Sequence, residues 1–119
     1  MAATKLITRR VEKPWGRRDL LPAFGAVAVD AEPVGEIWFE DPRGGDPELL
    51  VKYLFTSEKL SIQVHPDDEA ARAAGYPRGK DEAWVVLDAE PDATIGIGLH
   101  APATREELRA GGLAGRIEE

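Results

Sequence analysis

The sequence predicts one small, mostly β domain, a sandwich or barrel, carrying two short helices. Two observations lead there. The chain has 119 residues, a length that fits one domain over 1–119. It also divides into short apolar runs rich in β-branched and aromatic residues, separated by Pro and Gly.

The N-terminal third is broken at Lys13-Pro14-Trp15-Gly16, Leu21-Pro22, Glu32-Pro33 and Asp41-Pro42-Arg43-Gly44-Gly45, which read as loops between short elements. Strands are expected over 36–39, 49–55, 60–65, 83–87 and 94–99. The first helix is expected after Pro66-Asp67-Asp68-Glu69, where carboxylates crowd the first turn and Gly75 supplies a stop. The second begins at Thr104, whose Thr-x-x-Glu spacing is that of a capping box, and runs toward Gly111-Gly112.

Charge and composition exclude several classes of function. Lys and Arg total 15 against 22 Asp and Glu, a formal net charge of −7. Such a chain is a poor ligand for nucleic acid or anionic lipid, though a few cations gathered in a cavity can still hold an anionic small molecule. No apolar run approaches the ~20 residues that cross a bilayer, and no apolar segment follows Arg9-Arg10 as in a signal peptide, so a cytoplasmic location is expected. With no cysteine, disulfides and thiolate metal sites are excluded; any metal must use N and O ligands.

Two segments carry the candidate chemistry. In Leu60 to His65, alternation places Leu60, Ile62 and Val64 on one face and Ser61, Gln63 and His65 on the other. Pro66-Asp67-Asp68 then fixes His65 at the rim of a turn. In Gly79 to Trp84, Lys80, Glu82 and Trp84 share a face. A Lys-x-Glu pair alone is more often a solvated strand edge. Opposite Gln63 and His65, however, Glu82 could supply an oxygen to a mixed N/O set that suits zinc or another divalent first-row ion, with three protein ligands and an open position as in catalytic zinc sites. Lys52 lies in an apolar run, either snorkelling at an edge or pointing into a polar interior. Gly96 and Gly98 leave room for a close approach or mark a bulge. His100 reads as a loop residue, and Trp15 and Trp38 as core or hydrogen-bonded rim aromatics.

These residues resemble the N-terminal part of the type I mannose-6-phosphate isomerases, zinc enzymes of the cupin superfamily. The resemblance runs through Lys13-Pro14-Trp15-Gly16, Gly35-Glu36-Ile37-Trp38, Leu50 to Phe55, Lys59 to Asp68, Gly79 to Trp84 and Leu87-Asp88-Ala89. It implies a cupin-like jelly-roll, here a partial barrel. It implies zinc held by Gln63, His65 and Glu82. It also places Ser61, Lys80 and Lys52 at a sugar-phosphate substrate, with Ser61 and Lys80 the candidate catalytic groups. The implied reaction interconverts mannose 6-phosphate and fructose 6-phosphate by proton transfer between C1 and C2. In the family a fourth ligand, a His, and a phosphate-binding Arg come from further along, and neither is matched here; His100 does not correspond to that ligand. A homodimer, or a partner chain completing the barrel, is therefore expected. The alternative is a non-catalytic metal- or sugar-binding cupin fragment that works through self-association.

Overall fold

A computed structural model describes residues 2–115. The chain gathers into two compact units, Met1–Ser61 and Ile62–Glu119. The architecture contains a three-stranded antiparallel sheet, not closed into a barrel, and two short helices, consistent with a partial cupin-like fold.

In the first unit, β1 (Ile7–Arg17), β2 (Val34–Glu40) and β3 (Val51–Leu54) lie in the order β1-β2-β3. Alternation along β2 sends Ile37 to one face and Glu36 and Trp38 to the other. Val34, Ile37 and Phe55 form the buried core cluster, with Leu20, Phe24, Val27 and Tyr53 packed around it. Phe24 meets Tyr53 edge-on at 5.1 Å between ring centroids, a favourable arrangement for aromatic pairs. A short 3-10 turn, Pro22–Phe24, delivers that ring, and Arg10 donates to the Phe24 carbonyl.

β1 corrects the sequence reading, which took Lys13-Pro14-Trp15-Gly16 as a break. The strand runs through it because β1 lies at the sheet edge, where a Pro lacking its N–H is tolerated. The ladder instead shifts register between Val11 and Glu12 and between Glu12 and Arg17. The two strands approach closely there. A Cβ on Gly35 would stand 2.6 Å from the Lys13 side chain and 2.8 Å from the Trp15 ring, so the Gly-Glu-Ile-Trp run needs its glycine.

In the second unit, the helices are α1 (Asp68–Ala73) and α2 (Arg105–Leu113). Asp67 caps α1 by accepting from the Ala70 N–H at 2.8 Å. Thr104 and Glu107 form the expected capping box on α2, with the Thr104 N–H donating to the Glu107 carboxylate at 2.8 Å. The strands expected over 60–65, 83–87 and 94–99 are absent among the described residues. Their alternation is real, but a strand also needs a neighbour to supply the other half of its ladder, and these runs have none. Their apolar residues face outward: Val64 is 81% exposed, Val85 83% and Ile97 84%.

Candidate functional site

The candidate centre lies in the second unit, where the turn after His65 is held against the segment 79–82. The Lys80 N–H donates to the Pro66 carbonyl at 3.1 Å, and the Gly79 N–H donates to the Asp68 carboxylate at 2.9 Å. Contact is so close that a Cβ on Gly79 would lie 2.6 Å from both the Asp67 carbonyl carbon and the Pro66 oxygen. Only glycine fits. Asp68 thus has a second task besides its ion pair with Arg72, and the amide contact leads the causes that hold its carboxyl below the usual range.

This lock brings Glu82 to His65. The His65 Nε2 and Glu82 Oε2 atoms are 2.9 Å apart, with side-chain exposures of 23% and 28%. The Nε2 atom is shielded from solvent yet makes no aligned hydrogen bond. Lys80 Nζ stands 3.3 Å from the other Glu82 oxygen, and Trp84 Nε1 donates to Oε2 at 3.4 Å. Burial opposes ionisation of Glu82, but the contacts from His65, Lys80 and Trp84 outweigh it and hold the carboxyl below its usual range.

Two of the three residues read as metal ligands, His65 and Glu82, are thus brought together. Gln63 is exposed two positions before His65, and Ser61 is also exposed. Among the described residues no three His, Cys, Asp or Glu side chains gather as a metal site. The donor chemistry fits a zinc-type ion: a shielded imidazole nitrogen without an aligned hydrogen bond, beside a carboxylate held ionised. His100 lies in an exposed bend region.

Lys52 belongs to the first unit. Its Nζ is 3.1 Å from Glu36 Oε1, and Trp38 Nε1 donates to Glu36 Oε2 at 2.6 Å. Glu36 is 8% exposed. Burial raises its pKa, and the bonds from Trp38 and Lys52 more than compensate, so the carboxyl stays ionised below its usual range. Of the two readings of Lys52, the structure shows a half-buried, paired lysine on the polar face of the sheet. Sequence reasoning missed Glu36. Its Glu-x-Trp spacing, repeated at Glu82 and Trp84, was the available signal. It missed the Gly79–Asp68 contact because that contact joins segments distant in sequence.

Comparison with known proteins agrees with the resemblance in the motifs. The chain is 38% identical over 99 residues to a protein of Bacillus subtilis (strain 168) named probable mannose-6-phosphate isomerase GmuF, a match covering 73% of this chain and 31% of that protein. It is 38% identical over 82 residues to the mannose-6-phosphate isomerase ManA of the same organism, covering 63% and 26%. With the mannose-6-phosphate isomerase of Streptococcus mutans serotype c it shares 43% identity over 61 residues, covering 51% and 19%. The chain therefore spans under a third of the length of these relatives. No family model matches it, and no solved structure matches it significantly. By sequence the chain is a relative of the mannose-6-phosphate isomerases, matching a portion consistent with their N-terminal part.

Proposed function

We propose that this chain carries the first metal motif of a zinc-dependent aldose–ketose isomerase acting on mannose 6-phosphate and fructose 6-phosphate. The observation that carries the reading is the meeting of His65 and Glu82 in a chain related to mannose-6-phosphate isomerases. Gln63, His65 and Glu82 would hold the ion, which when bound polarises the sugar oxygens and stabilises the charge of the enediolate. Glu82, kept ionised by its neighbours, supplies an anionic donor at neutral pH. Lys80, tethered to Glu82 from the solvent side, sets a cation and proton carrier at the rim of the centre. Ser61 and Lys52 are assigned to the sugar phosphate. Among the described residues no helix is long and apolar enough to cross a membrane.

A second reading rests on the exposed apolar runs. In it, the chain binds metal or sugar without catalysis and pairs with a second copy, or with a partner chain, that covers those runs. At ~25 cal/mol per Å² of apolar surface, covering a few hundred Å² is worth several kcal/mol. A coupled isomerisation assay separates the two readings. Isomerase activity that zinc restores after chelation, and that His65→Ala abolishes, supports the first. Zinc binding without turnover supports the second.

A further inference from the structure

We propose that Asp68 is a positioning residue for the candidate centre: through the Gly79 amide it sets Glu82 and Lys80 against His65. The inference rests on the isomerase reading above. It assigns a task to the second acid of His65-Pro66-Asp67-Asp68, a run in which that reading uses the histidine alone.

Asp68 opens α1, and the helix fixes where its carboxylate stands. Asp67 caps the helix through the Ala70 N–H, and Ala71, three residues beyond Asp68, is buried. The two oxygens of Asp68 then serve different partners. Arg72, one turn along the same helix, donates to Oδ2 at 2.8 Å, and the Gly79 N–H donates to Oδ1 at 2.9 Å. The first bond braces the carboxylate; the second, charge-assisted, reaches the other segment. His65 lies three residues before Asp68, and Glu82 three residues after Gly79. The joint therefore sits at the same chain distance from both members of the pair. The adjacent bond from the Lys80 N–H to the Pro66 carbonyl joins backbone to backbone, so at this joint the side-chain chemistry is that of Asp68. Lys80 leaves the joint with its Nζ on Glu82, which places the candidate proton carrier and the candidate ligand together.

The test uses the full chain, first without metal. In Asp68→Ala the Gly79 amide should exchange about tenfold faster, and the nuclear Overhauser contacts between the His65 ring and the Glu82 side chain should fade. Asp68→Asn keeps an oxygen for the Gly79 N–H and should restore both. Arg72→Gln removes an exposed ion pair alone and should leave the exchange within about twofold of the parent. Asp68 is exposed and Ala is a good helix former, so α1 should persist, which circular dichroism checks. Calorimetric titration with zinc follows. Outer partners that orient a ligand are worth roughly ten- to a hundredfold in metal affinity, and Asp68→Ala, acting through the backbone, should weaken zinc about tenfold. Unchanged Gly79 exchange with unchanged His65–Glu82 contacts in Asp68→Ala overturns the proposal, and so does an equal loss in Arg72→Gln. Where zinc binding depends on His65, undiminished zinc affinity in Asp68→Ala overturns it as well. The isomerase reading fails separately: if His65→Ala binds zinc as the parent does, the metal assignment falls, and the metal-free contacts still decide the role of Asp68.

Discussion

The molecule uses one combination of side chains twice, in two different settings. In the first unit Glu36, two residues before Trp38, pairs with Lys52; in the second Glu82, two residues before Trp84, pairs with Lys80. The first set sits on a hydrogen-bonded ladder, where the pairing of Trp38 with Lys52 across β2 and β3 dictates who meets whom. The second has no ladder. Its geometry comes from one glycine pressed on a turn and two backbone donors. The chemistry differs accordingly. Around Glu36 the partners are the Trp38 N–H and the Lys52 ammonium, so each carboxylate oxygen already meets a donor. Glu82 has His65 beside it, a side chain that when neutral offers a lone pair. Only the second set places an imidazole beside the carboxylate.

The sharpest break in this comparison is expected from the cores. Ile37 is 1% exposed, whereas the only buried apolar residue of the second unit among those described is Ala71. Ile37→Ala should cost about 2–5 kcal/mol, read as a shift of the denaturant midpoint. Val85→Ala, at an 83% exposed position, should stay within ~0.5 kcal/mol. Similar losses from both would mean that the outward-facing runs are covered in solution, as the pairing reading requires.

Next in size is the lock itself. Gly79→Ala inserts a methyl into the Pro66–Asp67 backbone and should cost about 1–3 kcal/mol, as overpacking does. Its specific signature is weaker zinc binding through loss of the His65–Glu82 meeting, with the amide exchange of β2 unchanged. Faster exchange in β2 or undiminished zinc affinity in Gly79→Ala would show that the segments are not held as described.

What could be read from sequence follows the same division. Both helices were legible because their signals are local: Asp67 and Thr104 bond amides only three residues away. β2 and β3 were legible from alternation and β-branched content. The strand β1 was not, since Pro14 and Gly16 signal a break unless one knows that the strand lies at an edge. The runs 60–65, 83–87 and 94–99 failed in the opposite sense: their pattern describes a strand, but pattern cannot provide a partner. At the site, motif resemblance singled out His65 and Glu82 before any geometry. The roles of Gly79 and Asp68 in joining them depend on contacts between separate segments.

A smaller contrast is expected between the tryptophans. Trp38→Phe removes a 2.6 Å bond to a buried carboxylate and should cost about 1–3 kcal/mol. Trp84→Phe removes a 3.4 Å bond at a half-exposed ring and should cost under ~0.5 kcal/mol. Equal costs would erase the distinction between the saturated and the open carboxylate.

The smallest effect is expected in acid, and it separates the two carboxylates most cleanly. Although burial opposes it, their hydrogen-bond and charge partners hold both the Glu36 and the Glu82 carboxyl below the usual glutamate range. Protonating either one therefore favours the unfolded chain. The stability each contributes is complete above about pH 4.5 and is lost as pH falls through the lower folded value. Carboxyl-carbon NMR should show both titrating below 4.5, and Glu36→Gln should flatten the acid limb of the unfolding curve. Zinc then distinguishes them. A ligand carboxylate must stay deprotonated to hold a cation, so adding zinc should push the Glu82 midpoint lower still and leave Glu36 where it was. If both midpoints move together, the cation acts through general charge and not by coordination. If neither moves, Glu82 is as saturated as Glu36, and the second Glu-x-Trp set is a structural pair without a metal.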